Sequence, residues 1–317
     1  MLTLNECVQA LRAPHRFLIL THVRPDGDTL CSAAALADCL RSMGKTAYLA
    51  ANPDAGEKLL FHVGAYFAPA GSKYDKVISV DMASAGMIPE ILEITGEAVD
   101  LAIDHHGSNS DYAKETCVDA AAAACGEIVY RVILGLRGSV TEKQAELLYI
   151  ALSTDTGCFV YANTTWETLR IASELVHAGA DNGRINKRFF RTKPRSRIML
   201  ERMLYNDMRF YEDGRIAVIR ITRDMVQTCG ATEDDVDDIA SIPGAVEGVV
   251  AGVTLKERED GSCKISLRTT AQVNASAVCA KFGGGGHPMA AGCAISAQLD
   301  EAEREIVNAI TETLHDI

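Results

Sequence analysis

No apolar run in this sequence approaches the roughly 18 residues that a membrane-spanning helix requires, so an integral membrane protein is not expected. The first twenty residues contain Glu6, Arg12, Pro14, His15 and Arg16, which leaves no uninterrupted apolar core for a signal peptide. Ten cysteines are scattered along the chain without one Cys-x-x-Cys pair, which argues against a zinc knuckle or a dithiol redox site. They read as small buried side chains kept reduced in the cytosol. Cationic charge is short as well: 31 Lys and Arg stand against 43 Asp and Glu, a net charge of −12. Such a chain is poorly suited to coat long duplex DNA, where affinity comes from cations displacing counterions. Small anionic substrates remain open, provided that metals or a local basic patch offset the charge. What is left is a cytoplasmic enzyme or binding protein.

At about 150 residues per domain, 317 residues suggest two domains. In the first half, short apolar runs alternate with helical patterns. Arg16–His22, Lys76–Asp81 and Ala98–Asp104 read as strands, nearly apolar throughout, as parallel strands covered on both faces should be. Helices are expected over Asp28–Met43, Ala120–Leu136 and Glu142–Leu152. This alternation predicts an α/β fold with a doubly wound, mainly parallel sheet over residues 1–183. A basic connector over 184–208 follows, with seven Lys or Arg and no acid between Asn182 and Leu200. Residues 209–317 then read as a smaller α+β domain. It has strands at Arg215–Thr222, Val246–Lys256 and Cys263–Arg268, a hairpin turn at Asp260-Gly261, and helices over Asn274–Lys281 and Glu301–Leu314.

Four clusters of acids and histidines fall where predicted strands end or in loops just beyond. They are His22-x-x-x-Asp26-x-Asp28, Asp81, Asp104-His105-His106, and Asp155 within Ser153–Gly157. Open α/β sheets bind ligands outside their carboxyl strand ends, so one fold would gather all four. Singly, each has an ordinary explanation: Asp28 would cap the helix that it begins, and a lone His at a strand end is commonly a hydrogen-bonded structural residue. Together, so many carboxylates would repel one another unless cations lay between them. Mixed imidazole and carboxylate donors suit Mn²⁺ best, with Mg²⁺, Co²⁺ or Fe²⁺ as substitutes. Two such ions about 3.5–4 Å apart would activate water against a phosphoryl group, so phosphoester hydrolysis is the chemistry expected.

These residues resemble the motif set of the DHH phosphoesterase superfamily, named for Asp-His-His. The run Gly283-Gly-Gly-Gly-His287-Pro-Met-Ala-Ala-Gly292 is similar to the Gly-Gly-Gly-His motif of the DHHA1 domain that accompanies it. The resemblance spans nearly the whole chain, and its short layout is most similar to the bacterial nanoRNase/pAp phosphatase (NrnA-like) proteins. It implies that His22, Asp26 and Asp81 hold one Mn²⁺ and that Asp28, Asp81, His105 and Asp155 hold the other, with Asp81 bridging. Asp104 would orient a neighbouring histidine. His106 would face the substrate phosphate or protonate the leaving oxygen, the alternative being another supporting role behind the ligands.

The second domain would bind substrate across a cleft through Gly284, Gly285, Gly286, His287, Arg268 and, less specifically, Asn274, which would equally serve as a helix cap. Consecutive glycine amides can form an anion nest, and a guanidinium grips a phosphate bidentately. The implied substrates are short single-stranded RNA oligonucleotides, cut to nucleoside 5′-monophosphates, and small adenine nucleotides such as adenosine 3′,5′-bisphosphate (pAp). Linear pApA or cyclic di-AMP is the alternative, and a non-catalytic nucleotide- or RNA-binding protein is the third. The resemblance also implies a homodimer through the first domain. The basic connector reads either as a solvated face, pairing in part with the acids of Glu233–Asp238, or as a funnel for phosphates. Trp166 reads as a packing residue, and the Ala120–Ala124 run as helix propensity alone.

Overall fold

A computed structural model describes residues 1–236 and 239–315. The chain divides into two compact units, Met1–Thr192 and Lys193–Ile317. The basic segment is shared between them. Helix Asn182–Asn186 and a π-helical turn, Lys187–Arg191, belong to the first unit, and helix Arg195–Asn206 belongs to the second.

The first unit is built on five parallel strands: β1 (Arg16–Leu20), β2 (Thr46–Leu49), β3 (Lys76–Val80), β4 (Leu101–Asp104) and β5 (Thr116–Val118). Their order is β2-β1-β3-β4-β5, so the direction of winding reverses between β1 and β3. The helices that matter most are α1 (Leu4–Arg12), α2 (Gly27–Ser42), α3 (Glu57–Val63), α4 (Cys125–Arg137), α5 (Glu142–Asp155) and α6 (Trp166–His177). Strand residues of alternate parity separate cleanly. Phe17, Ile19, Ile78 and Ile103 join the main helical core, while Leu18, Leu20 and Val77 form a second, smaller core. That second face is covered by three short 3₁₀ turns between Ala85 and Ala98 rather than by long helices.

Helix α2 is buried almost along its whole length because its surface is small: Ala33, Ala34, Ala35 and Ala37 are all fully buried. Gly27 sets the closest approach to α5. A Cβ there would lie 2.4 Å from Thr154 Oγ1, so any side chain would push apart the two helix ends that carry Asp28 and Asp155.

The second unit holds a six-stranded mixed sheet in the order β10-β11-β9-β8-β7-β6. The strands are β6 (Arg209–Tyr211), β7 (Ile216–Ile221), β8 (Ala251–Glu257), β9 (Cys263–Thr269), β10 (Gly285–His287) and β11 (Ala290–Ile295). One face packs Cys263, Ile265 and Leu267 against helices Ala275–Ala280 and Leu299–His315. On the other, Ile219 and Ile221 of β7 meet Leu200 and Leu204 of helix Arg195–Asn206.

Three expectations differ, the first being the strand over Val246–Lys256, which begins only at Ala251. Ala120–Ala124 is not helical, and α4 begins only at Cys125. Tertiary contacts override helix propensity here, because the Ala122 carbonyl accepts from His105 Nδ1 and the Asp28 carboxylate takes the amides of Cys125 and Gly126. Trp166, expected to pack, is 76% exposed at the start of α6, where Thr165 caps the helix.

Candidate metal centre

The site forms at the carboxyl ends of β1, β3 and β4, where the sheet reverses its winding. His22 follows β1, Asp81 follows β3, and Asp104-His105-His106 ends β4. Asp26 and Asp28 enter α2. Asp155 arrives differently from expectation: it is the last residue of α5, not a residue beyond a strand. The packing of α5 on Gly27 delivers it to the same place.

Asp81 lies at the centre. It is 3% exposed and adopts φ +60°, a left-handed conformation that costs a residue with a Cβ about 1 kcal/mol or more. Its Oδ1 stands 3.3 Å from His105 Nε2 and 3.6 Å from His106 Nδ1, and its Oδ2 stands 3.6 Å from His22 Nε2. His22 Nε2 is also 3.8 Å from Asp26, and His105 Nε2 is 3.6 Å from Asp155. Three groups therefore have donor atoms within 4.8 Å of one another: His22, Asp26 and Asp81; Asp28, His105 and Asp155; Asp81, His105 and His106.

The histidines are held by bonds on their far side. His22 Nδ1–H donates to the Val23 carbonyl at 2.8 Å, and His105 Nδ1–H donates to the Ala122 carbonyl at 3.1 Å. Each bond fixes the tautomer and turns Nε2 toward the carboxylates. His106 Nδ1–H donates to Asp104 Oδ1 at 2.7 Å, and this bond raises its pKa above the ordinary value of 6.5. Asp104 is fully buried, and its Oδ2 accepts from the Asn109 amide at 2.7 Å. Asn109 had no motif to mark it beyond its place three residues after the Asp-His-His triplet.

In the Asp26-Gly-Asp28 run the helix cap is Asp26, not Asp28, and both keep a place in the donor groups. Asp26 is the cap of α2, accepting from the amides of Asp28 and Thr29 at 3.0 and 3.1 Å. Asp28 is buried and reaches the start of α4 instead. It accepts from Ser32 Oγ at 2.8 Å and from the Cys125 and Gly126 amides at 2.5 and 2.9 Å.

The donor set fits a cation. Asp81 Oδ1 is buried and accepts no hydrogen bond, although two imidazoles aim Nε2 at its carboxylate. Without a metal, protons take that place. Burial opposes charge on His22 and His105, but the Asp81 carboxylate and other neighbours outweigh it and raise them to about 9 and about 10. Burial raises the Asp155 carboxyl to about 6 and pushes Asp28 well above the carboxylate range. Oxygen and imidazole donors at carboxylate density suit divalent first-row metals or Mg²⁺.

In the second unit, Arg268 is exposed on β9, and its Nη1 donates to the Leu267 carbonyl at 3.2 Å. His287 is exposed at the end of β10. Asn274 caps helix Ala275–Ala280, accepting from Ala277 N at 3.1 Å. The glycine run is not an open nest. Gly283 and Gly284 donate to the Ala280 and Cys279 carbonyls, and Gly285–His287 pair with β11. Gly284 and Gly286 are required by close packing, since a Cβ would lie 2.2 Å from the Gly292 carbonyl oxygen or 2.6 Å from that of Ala290.

The basic segment is partly neutralised. Arg184 pairs with Glu146 at 2.6 Å, and Lys193 and Arg197 share Glu201 at 2.9 and 2.7 Å. Of the acids at Glu233–Asp238, Asp235 accepts from Ser196 Oγ at 2.8 Å and, through its carbonyl, from Arg197 at 2.5 Å. Asp237 and Asp238 lie outside the described residues.

The DHH family N-terminal domain matches residues 16–152, and the DHHA1 domain matches residues 217–316. The chain belongs to the DHH phosphoesterase family, whose members are metal-dependent. It is 32% identical over 310 residues to the bifunctional oligoribonuclease and PAP phosphatase NrnA of Thermus thermophilus, covering 98% of this chain and 93% of that protein. The protein of the same description from Bacillus subtilis is 26% identical over 307 residues, covering 95% of each. An exopolyphosphatase-related protein from Bacteroides fragilis shares the fold, with a TM-score of 0.88, 24% identity, and 98% and 95% of the two chains covered. Among the described residues, no helix is long and apolar enough to cross a membrane.

Proposed function

We propose that this protein hydrolyses short oligoribonucleotides to nucleoside 5′-monophosphates and removes the 3′-phosphate of pAp to give AMP. The observation that carries the reading is the buried Asp81 oxygen that accepts no hydrogen bond, on a carboxylate shared by two of the three donor groups, the third being joined to them through His105. The descriptions of the Thermus and Bacillus relatives supply the substrate classes.

His22, Asp26 and Asp81 would hold one metal, and Asp28, Asp81, His105 and Asp155 the other, with Mn²⁺ preferred and Mg²⁺ or Co²⁺ as substitutes. When bound, the ions supply Lewis-acid polarisation of the scissile phosphoryl group. The chain's own residues do the rest. The carbonyls of Val23 and Ala122 hold His22 and His105 with Nε2 inward. Asp104, itself fixed by Asn109, keeps a proton on His106 Nδ1 and favours the imidazolium, so His106 enters the reaction able to neutralise phosphate charge or give a proton to the leaving oxygen. In the second unit, Arg268 and His287 meet substrate phosphate, with Asn274 and the Gly284–Gly286 backbone shaping their surroundings. The ten cysteines, all free, fit a cytoplasmic setting. A homodimer through the first unit belongs to the same proposal, and sedimentation velocity tests it.

The experiment is incubation of the Mn²⁺-loaded protein with pAp, pApA, a labelled RNA five-mer, cyclic di-AMP and inorganic pyrophosphate. Release of mononucleotides from the five-mer together with AMP from pAp supports the proposal. Turnover restricted to pApA or cyclic di-AMP replaces it with second-messenger hydrolysis. No turnover by metal-loaded protein leaves a nucleotide-binding protein.

A further inference from the structure

A cavity of about 510 Å³ in the second unit lies away from the residues assigned above. Its lining includes Arg223, Lys256, Arg258, Lys264, Glu257 and Glu259. Four cations stand against these two acids; the Arg223 backbone amide donates to Glu257 at 3.0 Å, and its guanidinium stands 3.8 Å from Glu259. Lys264 and Arg258 are exposed and form no ion pair among the described residues. On a chain of net charge −12, this is a local excess of positive charge, with Lys264 and Arg258 at its exposed edge.

The sheet connects this cavity to Arg268. Side chains alternate along β9: Cys263, Ile265 and Leu267 are buried, while Lys264, Ser266 and Arg268 share the opposite face. Lys256 stands directly across from Lys264 in the β8–β9 register. On the other side of β9, the register places Ala294 opposite Lys264, Gly292 opposite Ser266 and Ala290 opposite Arg268. These small residues leave the floor beside the basic line low and smooth. From Lys264 to Arg268 is four residues of strand, about 13 Å. The two phosphates of pAp sit on one ribose and cannot span that distance, whereas phosphates of an oligonucleotide backbone can.

We propose that Lys264 and Arg258 form a distal phosphate subsite, joined to Arg268 along the face of β9 that carries Ser266, that engages the backbone of RNA longer than two nucleotides. The inference rests on the substrate reading above for the role of Arg268. It makes the subsite a length reader: oligomers use it and pAp does not.

The test is a Lys264→Glu/Arg258→Glu double variant, with Lys264→Gln/Arg258→Gln as the milder pair. Both replace exposed side chains, and an unchanged thermal midpoint verifies the fold. Binding of a labelled RNA five-mer is read by anisotropy in chelator, where nothing is cleaved, and KM values for the five-mer, a dinucleotide and pAp are read with Mn²⁺. The five-mer should bind at least tenfold more weakly in the Glu variant. Its salt dependence should become shallower by about 1.4 logarithmic units per decade of salt, two single-strand phosphate contacts' worth. The dinucleotide and pAp should keep their KM. An unchanged five-mer affinity, or an equal loss for pAp, overturns the subsite, as does a parent protein that does not bind the five-mer. A parent that binds the five-mer through these residues yet cleaves nothing refutes the proposed hydrolysis while leaving the subsite standing.

Discussion

Replacing Asp81 by asparagine separates what this residue does for chemistry from what it does for folding. The substitution keeps volume and removes charge, and asparagine tolerates the observed φ of +60° better than most residues, so no backbone strain is added. Asp81 Oδ1 accepts no hydrogen bond, which means that none is lost there. The cost to the metal-free fold is then the lost pairing with the protonated His22 and His105, about 1.4 kcal/mol for each tenfold loss of proton affinity, offset in part by relief of the repulsion that Asp81 exerts on Asp28 and Asp155, so the unfolding free energy at pH 7 should fall by no more than about 3 kcal/mol. Activity should behave otherwise. Losing the ligand shared by both proposed metals removes several kcal/mol of charge stabilisation, and about 4 kcal/mol corresponds to roughly 10³-fold in rate. A third signature is independent of turnover. Without Asp81, burial acts on His22 and His105 with less opposition, so their pKa values should drop from about 9 and about 10, each by at least a factor of ten in proton affinity. Five-mer hydrolysis in Mn²⁺, thermal unfolding in EDTA and histidine NMR titration read the three effects. More than a tenth of parental activity in a metal-loaded Asp81→Asn protein would refute the reasoning. So would unaltered histidine titration.

Metal binding should release protons near neutral pH. His22 and His105, raised above 6.5, are protonated in the metal-free protein at pH 7 and must be neutral as ligands, so apparent affinity should climb as pH rises from 6 to 9; calorimetry in buffers of different ionisation enthalpy checks this, and buffer-independent heats contradict it. Asn109→Ala should lower kcat about 10- to 100-fold, the usual range for a residue behind the ligands, with bound metal unchanged by elemental analysis. The glycines of the β10 hairpin should divide. Gly284→Ala drives a Cβ into the Gly292 carbonyl and should cost about 1–3 kcal/mol in denaturant unfolding, while Gly285→Ala meets no atom within 4 Å and should cost far less.

The strands carrying the site were legible because parallel strands covered on both faces leave continuous apolar runs, and the acids and histidines at their ends stood out against those runs. What escaped was tertiary. Nothing local in Ala120–Ala124 says that its carbonyls are needed by His105 and Asn163. Asp155 looked like a loop residue because the Thr and Gly that follow it read as punctuation, yet α5 continues through it. Four glycines in a row suggested an anion nest, but their spacing answers to the carbonyls of β11, and only coordinates reveal that neighbour. Asn109 was invisible for the same reason: a single amide gains meaning only from the buried carboxylate that it meets.

The reach of Asp28 into the start of α4 bears on how this protein could lose its activity over evolutionary time. A lineage that abandoned hydrolysis could shed Asp81 or His106 cheaply, since neither anchors an element. Asp28 could not follow, because α4 would lose the acceptor for its first two amides and Ser32 would lose its partner. An inactive descendant should therefore keep a fossil of the site, with Asp28 and Ser32 intact around a centre that no longer gathers metal. The first aspartate to vary would be the one at the middle of the cluster.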